Sequence, residues 1–456
     1  KDSLLSNTSY TLNFGNSIQD VSEGNFAENL QYIFSTGSFI DSLSLSGTVK
    51  NAFDMKPEKK ILVMLYDDIS DSVPYKKLPT YFTKTKEDGS FCINNIRSDT
   101  YKLFAIKDMN DNYLYDLPDE TIAFADSFLE IKKNRTKDLY LFKEIPQRNF
   151  IKRFFVGADK KIVIIFNREP EELILKGLNA KTRIEEFIPT GNLHNDTISY
   201  WVPYFSEEDT LLIEVREKNI LSDTLNICGR ALKKSLERNA PQMKIITNVD
   251  DKILDLNQDI ILWFSQPIKE YDFDNIILTE DTTPKNILTY DHSEKYQSKT
   301  TRKYILSPSP NDNTEYIWSE NKKYHLFIPP KTFTDILELK NDTIKIDFTT
   351  QEEKYYGVMT LKISFKNNLQ QNIIQLTDEK GNIVTEELIK DDKKILYEYL
   401  APGQYKLKII FDKNGNEKWD TGNHLKKIQP EKVLFYPGII NIRSNWDLEL
   451  EWEIQE

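Results

Sequence analysis

The chain has 456 residues, of which 39% are apolar and 12% aromatic, and its 60 basic and 72 acidic side chains give a net charge of −12. An acidic chain without a long basic run disfavours nucleic acid and anionic membrane surfaces as direct partners. No stretch approaches the roughly 18 consecutive apolar residues that a membrane-spanning helix needs.

The chain opens with what we interpret as the end of an Ig-like unit. The segment YTLNFGNSIQD begins at Tyr10 and is followed by FST, and YHLFIPPKTFTD begins at Tyr324 and is followed by FTT. The two tyrosines lie 314 positions apart. Residues 1–40 are therefore predicted to be the C-terminal part of a unit, and we expect its first strands and any targeting segment to lie upstream.

A second, longer repeat accompanies the first. Residues 88–116 and 395–420 both contain Tyr-Lys-Leu on an alternating apolar run, then Asp-x-Asn-x-Asn, then an aromatic residue and Asp. Asp108 and Asp412 lie 304 positions apart. Two unlike segments that recur in the same order indicate an array of β-modules.

Strand patterns fill the chain between these repeats. Short apolar or alternating runs such as KKILVMLYDD, KKIVIIF and DIILWFSQPI are bounded by Asn, Asp, Gly or Pro. No window keeps a 3.6-residue period, so we predict an all-β fold with helical turns at most, around Asp209–Asp223 or Glu270–Asn275. Short polar joints favour a semi-rigid linear array of β-sandwiches. The predicted units cover residues 1–40, 41–145, 146–240, 241–353 and 354–456.

The two cysteines, Cys92 and Cys228, lie in different predicted units. Such scarcity argues against a disulfide framework. We expect both to be small buried apolar side chains.

The best candidate site is the loop that both long repeats carry. Its residues are Asp108, Asn110, Asn112 and Asp116 in one copy and Asp412, Asn414, Asn416 and Asp420 in the other. This spacing of oxygen side chains resembles the first part of a Ca²⁺-binding EF-hand loop, although the sixth residue is not Gly and the twelfth is not Glu. The loop is predicted to be either a Ca²⁺ site of modest affinity or an Asx-rich turn that bonds to its own backbone.

The sequence contains no recognisable catalytic motif. It has no His-Glu-x-x-His, Cys-x-x-Cys, phosphate-binding Gly-rich loop or Gly-x-Ser-x-Gly, and its four histidines stand apart. We therefore expect no enzyme. A pair of carboxylates brought together in space, as in a glycosidase, is the remaining catalytic alternative.

Aromatic side chains suggest a binding function as another alternative, because flat rings suit both sugar stacking and protein docking. The candidates are Trp201, Tyr316 with Trp318, and Trp446 with Trp452. Trp452 alternates with Leu448 and Leu450, which predicts a core position for it. Trp201 stands beside Pro203, and we expect its ring at the surface.

Several stretches together resemble known envelope modules. SGTVKNAF, VMLYDD, KTKEDGSFCINNI, TYKLFAIKD and NYLYD resemble the prealbumin-like, carboxypeptidase-regulatory-like β-sandwich, and FSQPI with FTT resembles the SbsA-type bacterial Ig-like domain. The whole order is similar to the Ig-like domain lipoproteins of Bacteroidota.

This resemblance implies a non-catalytic lipoprotein of the outer membrane that faces either the cell surface or the periplasm, held there by an N-terminal lipid outside this chain. Such a protein would be a scaffold or accessory subunit of an outer-membrane protein complex, for example the β-barrel assembly machinery. The alternatives are a surface module that binds glycans or peptides and, third, a hydrolase with an unrecognised carboxylate site.

Overall fold

The structure is a computed structural model that describes residues 4, 6–15, 17–25, 30–190, 196–218, 220–249, 251–285, 287–291, 302–308, 318–366 and 370–455. Within these ranges short strands form many small sheets, so the predicted all-β class is confirmed. No helix of the described ranges is long and apolar enough to cross a membrane. The predicted ranges are called units 1 to 5 in chain order.

Unit 1 contributes one antiparallel strand pair. Its strands are β1 (Ser9–Asn13) and β2 (Gln31–Ser35). Tyr10 lies opposite Phe34, and their rings stack with centroids 5.5 Å apart.

Unit 2 is a sandwich of two sheets. Its elements are β3 (Leu43–Asn51), β4 (Leu62–Tyr66), α1 (Val73–Lys76), β5 (Tyr81–Lys84), β6 (Ser90–Ile96), β7 (Asp99–Lys107), β8 (Thr121–Phe124), β9 (Leu129–Ile131), β10 (Arg135–Thr136) and β11 (Leu139–Leu141). In one sheet β3 pairs with β6, β10 and β11, and in the other β4 and β7 are central.

Strand β4 is buried on both faces. Val63 and Leu65 point into the core between the two sheets, whereas Leu62, Met64 and Tyr66 belong to a second cluster on the outer face. An outer sheet face normally meets water, so the burial of all five residues shows that other segments cover it.

Cys92 is exposed, and the prediction of a buried side chain there was wrong. The residue points outward from β6, between the buried Phe91 and Ile93. Cys228 is half-buried, and both thiols are free.

Unit 3 is a second sandwich with a helix at its end. Its elements are β12 (Ile151–Val156), β13 (Lys161–Phe166), β14 (Leu173–Gly177), β15 (Ile188–Pro189), β16 (Thr197–Trp201), β17 (Thr210–Glu217), β18 (Ile220–Cys228) and α2 (Gly229–Arg238). Helix α2 buries Leu232 in the core. The helical turn expected at Asp209–Asp223 was wrong, because this segment forms β17 and β18, in which every second residue of β17 is buried.

Unit 4 contains strands β19 to β29. They are β19 (Ile245–Thr247), β20 (Ile253–Leu254), β21 (Ile260–Phe264), β22 (Ile268–Tyr271), β23 (Ile277–Glu280), β24 (Thr283–Lys285), β25 (Ile287–Asp291), β26 (Lys303–Pro308), β27 (Lys323–Ile328), β28 (Phe333–Asp335) and β29 (Ile344–Thr350). One sheet has the order β19-β21-β26-β25 and the other β20-β29-β27-β23-β24. The helical turn expected at Glu270–Asn275 was also wrong, since its first residues end β22, which pairs with β28.

The shorter sequence repeat corresponds to one strand pair that occurs twice. Tyr324 of β27 lies opposite Phe348 of β29, as Tyr10 lies opposite Phe34, and the two rings stack at 5.1 Å with an interplanar angle of 15°. In unit 4 this pair is flanked by β20 and β23.

Unit 5 has the same sandwich plan as unit 2. Its strands are β30 (Gly357–Phe365), β31 (Gln371–Asp378), β32 (Ile383–Ile389), β33 (Lys393–Leu400), β34 (Gly403–Asp412), β35 (Val433–Phe435), β36 (Ile440–Ile442) and β37 (Asp447–Ile454). The order β33-β30-β37, with β37 parallel to β30, faces the order β32-β31-β34-β35. Trp452 is buried in the core between these sheets, as predicted.

Candidate functional site

The first Asp/Asn loop begins directly after β7 and is organised around Asp108. Its carboxylate accepts hydrogen bonds from the backbone amides of Asn110 (3.2 Å), Asn112 (3.4 Å) and Tyr113 (2.8 Å). Tyr113 has a φ of 65°, in the left-handed region that tight turns use. A single carboxylate therefore holds the turn in shape.

The second loop repeats this arrangement at the end of β34. Asp412 accepts hydrogen bonds from the backbone amides of Gly415 (2.7 Å), Asn416 (3.1 Å) and Glu417 (2.9 Å). Glu417 has a φ of 64°, like its counterpart in the first loop. The two loops thus share one backbone conformation despite their different sequences.

Both loops bring their four predicted residues together. The side-chain amides of Asn110 and Asn112 lie 3.3 and 2.8 Å from the carboxylate of Asp116. In the second loop the amides of Asn414 and Asn416 lie 2.5 and 2.9 Å from Asp420. These contacts are those of an Asx-rich turn. The described residues contain no group of three or more His, Cys, Asp or Glu arranged to hold a metal ion.

A Ca²⁺ ion would need these amide groups to turn their oxygens inward. An Asn side chain carries a carbonyl oxygen and an NH₂ group on one planar amide, so a rotation exchanges donor for acceptor without moving the backbone. The side chains therefore fit Ca²⁺ only after that rotation.

A buried glutamate under each loop was missed in the sequence. Glu120 is fully buried and accepts hydrogen bonds from the backbone amides of Met109 (3.1 Å), Asp116 (2.9 Å) and Leu117 (3.0 Å). These bonds tie the start of the loop to its end.

Glu431 does the same in the second loop. It accepts hydrogen bonds from the amides of Lys413 (2.7 Å) and Asp420 (3.0 Å), and burial raises the pKa of its carboxyl group. The two glutamates follow their loops at different spacings, because unit 5 carries an insertion before Glu431. This difference hid the equivalence in the sequence.

The insertion, residues 421–430, reaches from unit 5 onto unit 2. Asn423 and Ile428 close it as a small turn through two backbone hydrogen bonds. Four hydrogen bonds then cross between the units: Thr421 Oγ1 to the Lys143 carbonyl (2.7 Å), the His424 amide to Glu144 Oε1 (2.5 Å), Gln429 Nε2 to the Phe124 carbonyl (2.9 Å), and one between His424 Nδ1 and the Tyr75 hydroxyl (3.3 Å). We call this segment the insertion loop.

His424 is the centre of this contact. Its ring lies against Tyr75, Phe104 and Phe124, with centroid distances of 5.8, 5.0 and 5.2 Å, and only 3% of the residue is exposed. Burial lowers the pKa of His424 to about 4. The imidazole therefore behaves as a neutral aromatic ring that fills the outer face of the unit 2 sheet.

Trp419 joins the outer clusters of both units. Its ring packs on Phe53 with centroids 5.2 Å apart, and its Nε1 donates to the Glu431 carbonyl at 2.9 Å. It also packs against Ile410 of unit 5. The two repeated sandwiches therefore share one apolar contact. It adds Trp419 to the cluster that covers the outer face of β4, whose buried members all belong to unit 2.

Charged contacts surround the apolar centre. The Asp71 carboxylate forms ion pairs with Lys102 of its own unit (2.5 Å) and with Lys427 of the insertion loop (3.4 Å). Lys418 pairs with Glu169 of unit 3 at 3.7 Å. These pairs are partly exposed and contribute orientation more than stability.

The predicted aromatic platform is dispersed in the structure. Trp201 is fully buried, so the expectation of a surface ring was wrong. It lies on the face of β16 that points away from the unit 3 core, in phase with Ser199, and is buried there beneath the side chains of Lys161 and of Arg302 from unit 4. Trp318 is buried as well, Trp446 is 55% exposed, and Tyr316 lies outside the described residues.

Comparisons with known proteins leave the family open. No family model and no curated protein matches the chain. Among solved structures, SGBP-B of the mixed-linkage glucan utilization locus of Bacteroides ovatus, in complex with a mixed-linkage heptasaccharide, is 10% identical, with a TM-score of 0.21 over 89% of this chain and 95% of that one.

Two further structures are similar at the same low level. The major pilin subunit BcpA of Bacillus cereus is 10% identical, with a TM-score of 0.16 over 91% of this chain and 99% of that one. The surface layer protein SbsC, domains 4–9, is 10% identical, with a TM-score of 0.19 over 84% of this chain and 65% of that one. Scores of this size supply no argument about the function of this chain.

Proposed function

We propose that the chain is a non-catalytic cell-envelope scaffold, an accessory subunit of an outer-membrane protein complex and itself an outer-membrane lipoprotein. The observation that supports this role most is the contact between units 2 and 5. The insertion loop of unit 5 holds two modules together through hydrogen bonds and a buried aromatic contact. Modules fixed in this way present their remaining strand edges and loops to a partner in a constant arrangement.

A pull-down tests the scaffold role. The full-length native protein is recovered from its own envelope in mild detergent, and the proteins that accompany it are identified by mass spectrometry. We expect one integral membrane barrel protein at close to one copy per copy of this chain. Recovery of the chain alone from an intact envelope preparation would contradict the proposal.

A variant sharpens this experiment. His424→Asp places a charge in the aromatic contact and should separate units 2 and 5, whereas His325→Asp changes an exposed histidine on β27. The scaffold role predicts that the first variant loses the partner and the second keeps it.

We further propose that the two Asp/Asn loops bind Ca²⁺. What supports this is that two asparagine side chains converge on one aspartate carboxylate in both copies, Asp116 in the first and Asp420 in the second. Millimolar Ca²⁺ should raise the thermal unfolding midpoint relative to EDTA by several degrees, and the double variant Asp116→Ala, Asp420→Ala should lose that shift. Equal midpoints with Ca²⁺ and EDTA would leave the loops as Asx turns.

A further inference from the structure

A cleft lies at the joint between units 3 and 4. It has a volume of about 820 Å³, and its walls come from β12, from α2 and from the segment that leads into unit 4. Its lining includes Phe155, Asp159, Arg238, Asn239, Gln242 and Lys244. Clefts between modules are common places for ligands.

The charge around this cleft is opposite to that of the chain as a whole. Five cationic side chains line or border it: Arg153, Lys161, Arg238, Lys244 and Arg302. Within the described part of the chain none of the five makes an ion pair. Asp159 is the one carboxylate among the residues that line the cleft. A local excess of positive charge in a chain of net charge −12 favours an anionic ligand.

Two of these cations are held at the wall by the buried Trp201. The Lys161 ammonium of unit 3 and the Arg302 guanidinium of unit 4 lie 5.3 and 5.2 Å from the centroid of its ring. Trp201 Nε1 lies 3.3 Å from Asp159, and Arg302 lies 3.5 Å from the Ser265 carbonyl, so both cations border the cleft. The indole therefore positions one positive charge from each unit at the joint.

This arrangement is electrostatically incomplete. Burial lowers the pKa of Lys161, Asp159 raises it, and the charge of Arg302 lowers it further. Burial also lowers the pKa of Arg302, which Asp159 raises. Two half-buried cations therefore share one neighbouring carboxylate, which leaves a net positive charge at the joint. A bound carboxylate or sulfate would balance that charge.

The uncharged side chains of the cleft indicate which kind of molecule the acid group belongs to. Asn239 and Gln242 present exposed amide groups, which donate to and accept from hydroxyl groups. Phe155 is 48% exposed, with the guanidinium of Arg153 5.9 Å from its ring centroid. An exposed ring beside amides and cations suits the apolar face, the hydroxyls and the acid groups of a sugar.

We propose that the cleft between units 3 and 4 binds an acidic oligosaccharide, a chain of sugars that carry carboxylate or sulfate groups. Lys161 and Arg302 meet the acid group at the joint. Arg238 and Lys244 attract the neighbouring acid groups at the rim, and the amides bind sugar hydroxyls. The inference does not depend on the scaffold role, because none of these residues belongs to the contact between units 2 and 5.

Calorimetric titration of the full chain tests the cleft. The probes are a uronic-acid hexasaccharide prepared from alginate and the neutral hexasaccharide cellohexaose. We expect at least tenfold tighter binding of the uronate, and an affinity that falls as salt rises. Equal or absent binding of the uronate would overturn the proposal.

Matched variants assign the binding to this cleft. Arg238→Gln with Lys244→Gln removes two exposed rim charges and should weaken uronate binding by about tenfold or more. Lys133→Gln with Lys380→Gln removes two exposed lysines from units 2 and 5 and should leave binding unchanged. Equal losses in both variants would show a non-specific charge effect and overturn the assignment.

A further probe separates sugar from peptide. Hexaglutamate carries one carboxylate per residue without hydroxyl groups. Weaker binding of hexaglutamate than of the uronate supports a sugar ligand. Binding of equal strength that the rim variant abolishes would overturn the sugar assignment in favour of an acidic peptide.

Discussion

At the scale of residues, a single carboxylate in each repeated loop determines the shape of that loop. Asp108 and Asp412 each organise three backbone amides, and the sequence predicted that these side chains would come together. Glu120 and Glu431 complete the loops, yet the sequence did not reveal them. Their position in the sequence depends on the length of the segment that follows each loop, and this length differs between the two copies.

Loss of the buried carboxylate should destabilise unit 2. Glu120→Ala leaves three backbone amides without their acceptor, and an unsatisfied buried polar group costs about 1–3 kcal/mol. The free energy of unfolding from urea titration should fall by that order. Glu130→Ala removes an exposed glutamate paired with Lys132 and should change it little. Similar losses in both variants would contradict the role given to Glu120.

His424 should make stability depend on pH. Its pKa is about 4 in the folded chain against about 6.5 when exposed, so the unfolded chain binds the extra proton between these values. The contribution of His424 to the free energy of unfolding is fully present above pH 6.5. It is lost as the pH drops towards 4, by up to about 3 kcal/mol. Asp71 opposes this shift, whereas Lys102 and Lys427 add to it.

His424→Phe keeps an aromatic ring but cannot be protonated, so it isolates this effect. The difference in thermal midpoint between pH 7 and pH 5 should shrink in this variant and remain in His325→Phe, whose histidine is exposed. An unchanged pH dependence in His424→Phe would show that His424 is not buried in solution.

At the scale of elements, strands were predictable where apolar residues alternate or run together. The register of Tyr10 with Phe34 and of Tyr324 with Phe348 follows the repeat that the sequence displays. The one helix longer than a turn among the described residues, α2, was not predicted, because its ten residues bury only Gly229 and Leu232. Trp201 was misjudged because Pro203 suggested a turn, whereas the residue ends β16 on its outer face and is buried there by Lys161 and by Arg302 of unit 4.

Close packing of β3 against the β10–β11 connection predicts a glycine requirement. A Cβ added to Gly47 would lie 2.0 Å from the Lys137 carbonyl oxygen and 3.0 Å from the Phe91 ring. Gly47→Ala should therefore lower the free energy of unfolding by about 1–3 kcal/mol or more. Gly403→Ala, where the nearest atom is 3.9 Å away, is the matched control and should be nearly neutral. Urea unfolding of both variants measures the difference.

At the scale of the whole molecule, the order of the modules was visible in the sequence, but the contact between units 2 and 5 was not. Thr421 and Lys143 are 278 positions apart, and their hydrogen bond joins two different sandwiches. Nothing in a local pattern reports such a contact. The chain is therefore an array in which the two repeated sandwiches, units 2 and 5, also contact each other. This contact is the central feature of the proposed scaffold.

The most direct test of that feature is a distance distribution between units 2 and 5 in solution. Nitroxide labels are placed on the exposed Cys92 and on a cysteine introduced as Lys380→Cys, with Cys228→Ser, and double electron–electron resonance is recorded. A fixed contact between units 2 and 5 predicts one narrow distance distribution, which His424→Asp broadens. A broad distribution in the chain that retains His424 would contradict it.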